Sequence, residues 1–228
     1  MTQTMHDLSI NIGSETIKPV SCARDLGFHF DDELSMKQHI NTIARTCFYH
    51  LPRLRQSRRR AGREVTVRLV LALVMSRIDF CNALFAGLPT STIAPLQRVQ
   101  NAADRLVLQL GPRDHVSQGL RELHWLPIHT RVLYKLCVLM YDVHVGNSPS
   151  YIRDIVATCR SAAQRSGLRS SSTTDYVKPR LSTKFGERAF SFAGPHAWNQ
   201  LPHQLRSIVN PAAFKKHLKT HFLNSVFN

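Results

Sequence analysis

The chain has 228 residues, 43% of them hydrophobic, and a formal net charge of +15 from 30 Lys and Arg against 15 Asp and Glu. That length and apolar content suffice for one domain of generous size or two small ones, with a hydrophobic core. The positive charge favours a polyanionic partner, either nucleic acid or an acidic membrane surface. The longest apolar stretch, 65–80, contains Arg68, Arg77 and Asp79, so it predicts a core helix and argues against a membrane span.

The cysteines and the first residues indicate the compartment. The five cysteines are scattered without a CxxC pair, which predicts free thiols in a reducing environment. The opening residues, MTQTMHDLSI, lack a basic segment followed by an apolar run, so no secretory signal is expected. We therefore expect an intracellular protein, nuclear or cytoplasmic, with no membrane partner.

The first predicted elements are strands, and helices follow. Residues 8–17 alternate apolar and polar side chains around a Gly-Ser pair and residues 17–30 form a second extended segment, which together predict a β-hairpin. From Met36 the apolar positions have helical spacing, and Pro52 is expected to kink or end that helix. Residues 64–85 are apolar on nearly all sides and predict a buried central helix. The predicted apolar positions of the first helix are Ile40, Ile43, Cys47, Phe48, Leu51 and Leu54.

The second half of the chain is predicted to be mostly helical. Residues 87–112 predict a helix that Ser91 caps and Gly111-Pro112 ends, and Asp114 is expected to cap a short helix after it. Further helices are predicted at 130–145, after Ser148-Pro149 and after Asn210-Pro211.

One polar segment interrupts these helices. Residues 158–186 are rich in Ser, Thr and Arg and predict a linker or mobile basic arm, with a hairpin at Asp175–Leu181. The whole pattern predicts a mainly α fold, in which a helical bundle carries an N-terminal β-hairpin and a small C-terminal α/β extension. The predicted domains are a β-hairpin at 1–33, a helical domain at 34–157, a basic Ser/Arg-rich linker at 158–186 and a C-terminal helical unit at 187–228.

An adjacent carboxylate pair, Asp31-Asp32, raises the question of a two-metal site for phosphoryl transfer. Such a site needs several carboxylates that converge on ions about 3.5–4 Å apart. The only Asp residues upstream of the pair are Asp7 and Asp25, and the residues after the pair open a helix. Acidic side chains are favoured at a helix start by the macrodipole and the free N–H groups. The pair is therefore interpreted as a helix cap, and neither a catalytic residue nor a metal ligand is expected.

Longer blocks of sequence resemble a known family. ARDLGFHFDDELSMKQHI (23–40) is similar to the segment just beyond the catalytic palm in reverse transcriptases of LINE-type (non-LTR) retrotransposons. The similarity continues, in the order expected of that family's C-terminal region, through SRIDFCNALFAGLP, LQRVQNAADRLV, LHWLPIHTRVLYKL, SPSYIRDI, TKFGERAFSFAGPHAWNQLP and FKKHLKTHF. Together these blocks cover most of the chain, and their order makes the resemblance specific.

The resemblance implies a piece of an RNA-directed DNA polymerase. Residues 1–33 would be a remnant of the palm and 34–157 a thumb-like domain, with the family's catalytic aspartates and endonuclease domain upstream of Met1. Alone, such a chain would not be an enzyme and would have no cofactor, since Mg²⁺ would belong to the missing palm. It would be able to associate with the missing polymerase half.

One departure from the family pattern is Asp104, where a small apolar residue is more typical.

The arginine-rich run at 53–63 is a candidate for nucleic-acid binding. Arginine pairs bidentately with phosphate, and the release of counterions drives the association. A solvated inter-helix loop or a localisation signal is the alternative. A polymerase thumb contacts the phosphate backbone of the nucleic acid. Its contacts with RNA, DNA or an RNA–DNA hybrid would therefore be independent of base sequence. The candidate residues in this run are Arg53, Arg55, Arg58, Arg59, Arg60 and Arg63.

Two further groups of polar residues have helical spacing. Arg98, Asn101 and Arg105 share one stripe, which suits either phosphate contacts or plain solvent exposure. The candidates on the last helix are Lys215, Lys216 and Lys219. Trp125 and Trp198 have apolar neighbours and are expected in the core rather than stacked on bases.

A function of a different class is also compatible with these residues. The chain would then be a structural or interaction protein derived from a truncated transposable element, and its arginines would only keep it soluble or direct it to the nucleus. A third interpretation is an intact polymerase whose first part is missing from this sequence.

Overall fold

Two short antiparallel hairpins begin the described chain. The computed structural model describes residues 9–111, 113–159 and 175–227. The strands are β1 (Ile10–Ile12), β2 (Glu15–Ile17), β3 (Cys22–Asp25) and β4 (Phe28–Asp31), with β1 paired to β2 and β3 to β4. The sequence predicted a single hairpin here. Gly13 and Gly27 both adopt left-handed backbone conformations, however, and they close two separate turns.

The two hairpins differ in how they contact the helices. Every residue of β1 and β2 is exposed, including Ile10 and Ile17, which face each other across the hairpin. In contrast, Phe28 of β4 is buried and packs against the rings of His39 and Phe85. Only the second hairpin therefore contributes to the hydrophobic core.

The first helix, α1 (Lys37–Val70), is longer than the sequence predicted. α1 does not end at Pro52, since the helix passes through this residue although proline lacks the N–H for the Phe48 carbonyl. The interruption falls instead at Gly62 (φ 74°, ψ 177°), a conformation that glycine adopts without steric cost. The chain then continues into a π-helical turn (Leu71–Met75) and α2 (Ser76–Asp79).

The other helical elements are 3₁₀ turns at Asn82–Phe85 and Gly186–Arg188, and helices α3 (Thr90–Leu108), α4 (Val116–Glu122), α5 (Ile128–His144), α6 (Ser150–Arg153), α7 (Phe190–Asn199), α8 (His203–Arg206) and α9 (Pro211–Phe227). Helices α3 to α6 and α9 lie close to their predicted positions, but the caps of α3 and α4 differ from the predicted ones. α3 starts at Thr90 without a side-chain cap, so Ser91 is not its N-cap, and it ends before the left-handed residue Gln109. Asp114 accepts a hydrogen bond from the Gly111 N–H (2.6 Å) and does not cap α4.

The C-terminal helices share a core with α5. Trp198 of α7 is fully buried, and the ring of Phe214 in α9 stacks on Tyr141 of α5 with centroids 4.1 Å apart. Trp125 is buried as well, so the predicted core positions of both tryptophans are confirmed. Residues 187–227 are thus held to the helical body by apolar packing.

The predicted basic linker begins and ends against the same helical body. Thr158 and Tyr176 form an antiparallel bridge, and the Asn199 side chain bonds the backbone N–H and C=O of Tyr176 (3.0 and 2.8 Å). Tyr176 therefore pairs with Thr158 and not within the hairpin predicted at Asp175–Leu181. The rest of the linker prediction concerns residues 160–174, which lie outside the described residues.

The packing of these elements confirms the predicted mainly α fold, with β-hairpin structure at the N-terminus and a helical part at the C-terminus. α1 packs along α3, and α5 packs against α7 and α9. Within the described ranges, no helix is both long enough and apolar enough to cross a membrane.

Asp104 is a charged residue inside this core. Its side chain, on α3, is fully buried, and neither carboxylate oxygen has a hydrogen-bond partner among the described residues. The carboxylate fits because α4 places Gly119 opposite it, where a Cβ atom would lie 2.4 Å from Oδ2. Burial raises the pKa of Asp104 to about 6, while the charge of Arg105 opposes this rise and that of Glu122 adds to it.

Candidate nucleic-acid interface

A groove of about 990 Å³ runs between α1 and α3. The apolar side chains that line it are Phe48, Leu51, Pro52, Ala102 and Leu106, and the polar ones are Arg55, Gln56, Ser57, Arg59 and Arg60. A second cavity of about 650 Å³ shares Arg55, Arg59 and Leu106 with the first and extends to Arg58 and Arg105. We call the two together the arginine groove.

Helical spacing explains why these arginines meet. Arg55 and Arg59 are four residues apart on α1 and share one face, while Arg105 lines the groove from α3. The alternative interpretation of run 53–63 as an inter-helix loop is wrong, because these residues are helical up to Gly62. A helix holds the guanidinium groups at a fixed spacing, which a flexible loop does not.

Two arginines of the run stabilise the fold. The Arg58 guanidinium donates a hydrogen bond to the Val107 carbonyl (3.3 Å) in the last turn of α3, where carbonyls lack intrahelical donors. Arg63, just beyond the break in α1, forms an ion pair with Glu122 of α4. These contacts connect α1 to α3 and α4, so neither side chain is wholly available to a ligand.

Arg53 has a local role as well. Its guanidinium lies 3.4 Å from the ring centroid of Tyr49 and donates a hydrogen bond to the Tyr49 carbonyl (2.8 Å). The cation and the ring therefore form one surface feature at the start of the run, and this ring is 57% exposed.

The remaining three arginines are free to bind anions. Arg55, Arg59 and Arg60 are exposed, and among the described residues none of them has a hydrogen-bond or ion-pair partner. Arg105 completes the group from α3, where its buried Nε also lacks a partner in the described part of the chain. An unpaired guanidinium fork is the group that binds a phosphate bidentately.

The predicted stripe on α3 is not uniform. Arg98 is exposed, but the Asn101 side chain accepts a hydrogen bond from Gln97 (2.8 Å), whose own oxygen accepts the Ile128 N–H (3.0 Å). Asn101 thus supports the junction between α3 and α5 and does not line the arginine groove. Of the three predicted positions, the fold brings only Arg105 to the groove.

The lysines of α9 lie away from the arginine groove. Lys215, Lys216 and Lys219 are exposed on a helix that packs against α4, α5 and α8, and none of them lines the groove. Partial burial lowers the pKa of Lys219, and the charge of Arg131 lowers it further. The two basic groups are therefore separate surfaces and not one continuous site.

The Asp31-Asp32 pair stabilises a turn. The Asp31 carboxylate accepts hydrogen bonds from the N–H (2.6 Å) and the hydroxyl (3.1 Å) of Ser35, and Asp32 accepts one from the Glu33 N–H (3.1 Å). Because α1 begins only at Lys37, these carboxylates hold the turn before the helix and do not cap it directly.

Phe48 is the groove residue that the sequence did not reveal. Helical spacing placed it with the apolar core positions, but its side chain is 44% exposed and lines the groove. The residues before and after it on the buried face, Cys47 and Leu51, are less than 10% exposed. Adjacent residues on a helix point about 100° apart, and on this part of α1 Cys47 points to the core while Phe48 points to the groove.

Comparisons with other proteins identify no family for this chain. A scan against protein-family models, a search of curated proteins and a search of solved structures each found no match. Among the described residues, no three His, Cys, Asp or Glu side chains are grouped as a metal ion would require. The function is therefore inferred from the chemistry of the groove and from the sequence resemblance.

Proposed function

We propose that the chain binds nucleic acid through the arginine groove, by contacts with the phosphate backbone. The observation that carries this proposal is the convergence of Arg55, Arg59, Arg60 and Arg105, from two packed helices, without a hydrogen bond or ion pair to a carboxylate among the described residues. Like charges that line one groove repel each other, and a bound anion offsets that repulsion. Phosphate contacts of this kind are independent of base sequence, so RNA, DNA and their hybrid are all ligands.

Replacing Arg55, Arg59 and Arg60 together by Gln tests this proposal. We expect affinity for a labelled oligonucleotide to fall at least tenfold. The negative slope of log affinity against log salt concentration should become shallower by roughly one for each arginine removed. Fluorescence anisotropy over a series of salt concentrations measures both quantities. Arg58 is left intact because its contact with Val107 stabilises α3.

A charge-matched variant provides the control. Replacing Arg68, Arg153 and Arg180 by Gln removes the same charge from exposed positions that do not line the groove. If both triple variants lose affinity equally, the binding is a property of net charge and the groove has no special role. If the groove variant binds as well as the unaltered chain, the alternative of a structural or interaction protein is favoured.

We further propose that the chain is the thumb-like, C-terminal part of a LINE-type reverse transcriptase and does not copy nucleic acid alone. The support is the ordered series of sequence blocks from residue 23 to residue 222, which corresponds to the region beyond that family's catalytic aspartates. The purified chain is expected to extend no primer in the presence of template, nucleotides and Mg²⁺. Any extension that disappears on replacing Asp31 and Asp32 by Asn would overturn this proposal.

A further inference from the structure

The arginine groove contains an aromatic side chain that the packing of the fold does not use. Phe48 is 44% exposed, while the buried residues Leu51 and Leu106 line the groove beside it. One residue further along α1, the exposed ring of Tyr49 is covered on one side by the Arg53 guanidinium at 3.4 Å. Tyr49 does not line the groove, so Phe48 and the apolar side chains beside it form the end of the groove nearest the start of α1.

The cationic groups follow along the same helix. Arg55 and Arg59 lie about two and about three helical turns beyond Phe48, and all three side chains line the same groove. The groove therefore offers a π-face at one end and guanidinium forks at the other. A ligand that uses both ends must have exposed flat rings as well as phosphates.

Duplex and single strand differ in this respect. In a duplex the base faces are stacked within the helix, so an arginine groove meets phosphates and sugars only. A single strand exposes its bases, and these stack on aromatic side chains whatever the base sequence. From this combination we infer that the arginine groove takes a single-stranded segment, with one base stacked on Phe48 and the neighbouring phosphates on Arg55 and Arg59.

This inference rests on the nucleic-acid-binding function proposed above, so its test uses three probes that separate the two. The first is a labelled single-stranded oligo(dT) of about 12 nucleotides, within the usual range of single-strand site sizes. The second is an abasic strand with the same number of phosphates, and the third is a blunt duplex of the same length. We expect the unaltered chain to bind oligo(dT) about tenfold more tightly than the abasic strand.

Variants of Phe48 show whether that difference arises at this ring. Phe48→Ala is expected to remove the preference for oligo(dT) and to leave affinity for the abasic strand unchanged. Phe48→Leu keeps an apolar side chain but has no aromatic ring, so it should lose the same preference. Phe48→Trp should retain the preference. Tyr151→Ala, which removes an exposed aromatic from α6, is the matched control and should change nothing.

The possible failures have different signatures. If the chain binds all three probes with equal, salt-dependent affinity, the proposed function stands and the single-strand inference is overturned. If the duplex binds more tightly than oligo(dT), or if Phe48→Ala weakens binding to the abasic strand as much as to oligo(dT), the inference is also overturned. If no probe binds in a salt-dependent manner, the proposed function and the inference both fail.

Discussion

Replacing Asp104 by Asn is expected to stabilise the fold by about 3 kcal/mol at neutral pH. The side chain is fully buried without a hydrogen-bond partner among the described residues, and its pKa rises from 3.8 to about 6. Between these values the folded state holds a proton that the unfolded state releases. The contribution of Asp104 to the free energy of unfolding therefore falls as pH rises from about 4 to about 6, and it stays at the lower value above that range.

Asparagine keeps the shape of aspartate but has no proton to lose. We expect the variant and the unaltered chain to be equally stable near pH 4, and to separate progressively as the pH rises. Near neutral pH the melting temperature should increase by roughly 6–12 °C. Urea unfolding at several pH values measures the difference, and a variant that is less stable at neutral pH would contradict the prediction. Glu33→Gln, at an exposed carboxylate, is the control and should show no such trend.

The close contact with Gly119 offers an independent check on the position of Asp104. A Cβ atom on Gly119 would lie 2.4 Å from the carboxylate, so Gly119→Ala is expected to destabilise the unaltered chain. In an Asp104→Ala background the obstructing oxygens are absent, and the same change should cost much less. Additive effects of the two substitutions would show that the side chains do not meet.

Replacing His39 by Asn is expected to remove the contribution of this residue that lowers stability in acid. His39 is 3% exposed, its ring stacks on Phe28 with centroids 3.7 Å apart, and its Nδ1 accepts the His29 N–H (3.4 Å). Burial, together with the charge of the nearby His29, lowers the pKa of His39 from 6.5 to about 4. Between pH 6.5 and 4 the unfolded state gains a proton that the folded state excludes, so the folded state loses about 3 kcal/mol over this range.

The Asn side chain places an oxygen near the position of Nδ1 and so keeps an acceptor for the His29 N–H. The variant loses the ring stacking and should be less stable at neutral pH, but its free energy of unfolding, compared with that of the unaltered chain at the same pH, should rise by about 3 kcal/mol as the pH falls from 6.5 to 4. The slope, and not the absolute stability, is the quantity that identifies the titration. His203→Asn, at an exposed histidine, should leave the slope unchanged, and an unaltered slope in His39→Asn would refute this assignment.

The two titrations oppose each other in the unaltered chain. Asp104 makes stability fall as pH rises from about 4 to 6, whereas His39 makes it rise from about 4 to 6.5. Each contributes about 3 kcal/mol, so the two contributions nearly cancel. The free energy of unfolding of the unaltered chain should therefore depend little on pH in this range. In the Asp104→Asn variant the His39 contribution stands alone, and a steep increase in stability between pH 4 and 6.5 should become visible.

Local sequence patterns determined the main features of this fold. The spacing of apolar residues predicted α5 within two residues of its start, the Asn210-Pro211 pair predicted the start of α9, and apolar neighbours predicted the burial of Trp125 and Trp198. These features follow from contacts along one element, which a linear pattern records. The arginine run 53–63 was also visible as a candidate, because its charge density needs no structure to be recognised.

Tertiary packing decided which of those arginines remain available. Only the proximity of α3 and α4 gives Arg58 and Arg63 internal partners, and only the position of α1 beside α3 leaves Arg55 and Arg59 facing a groove. The same packing exposes Phe48 although helical spacing predicted a core position. Propensity and periodicity describe one helix at a time, whereas a groove and its free charges exist only where two helices meet.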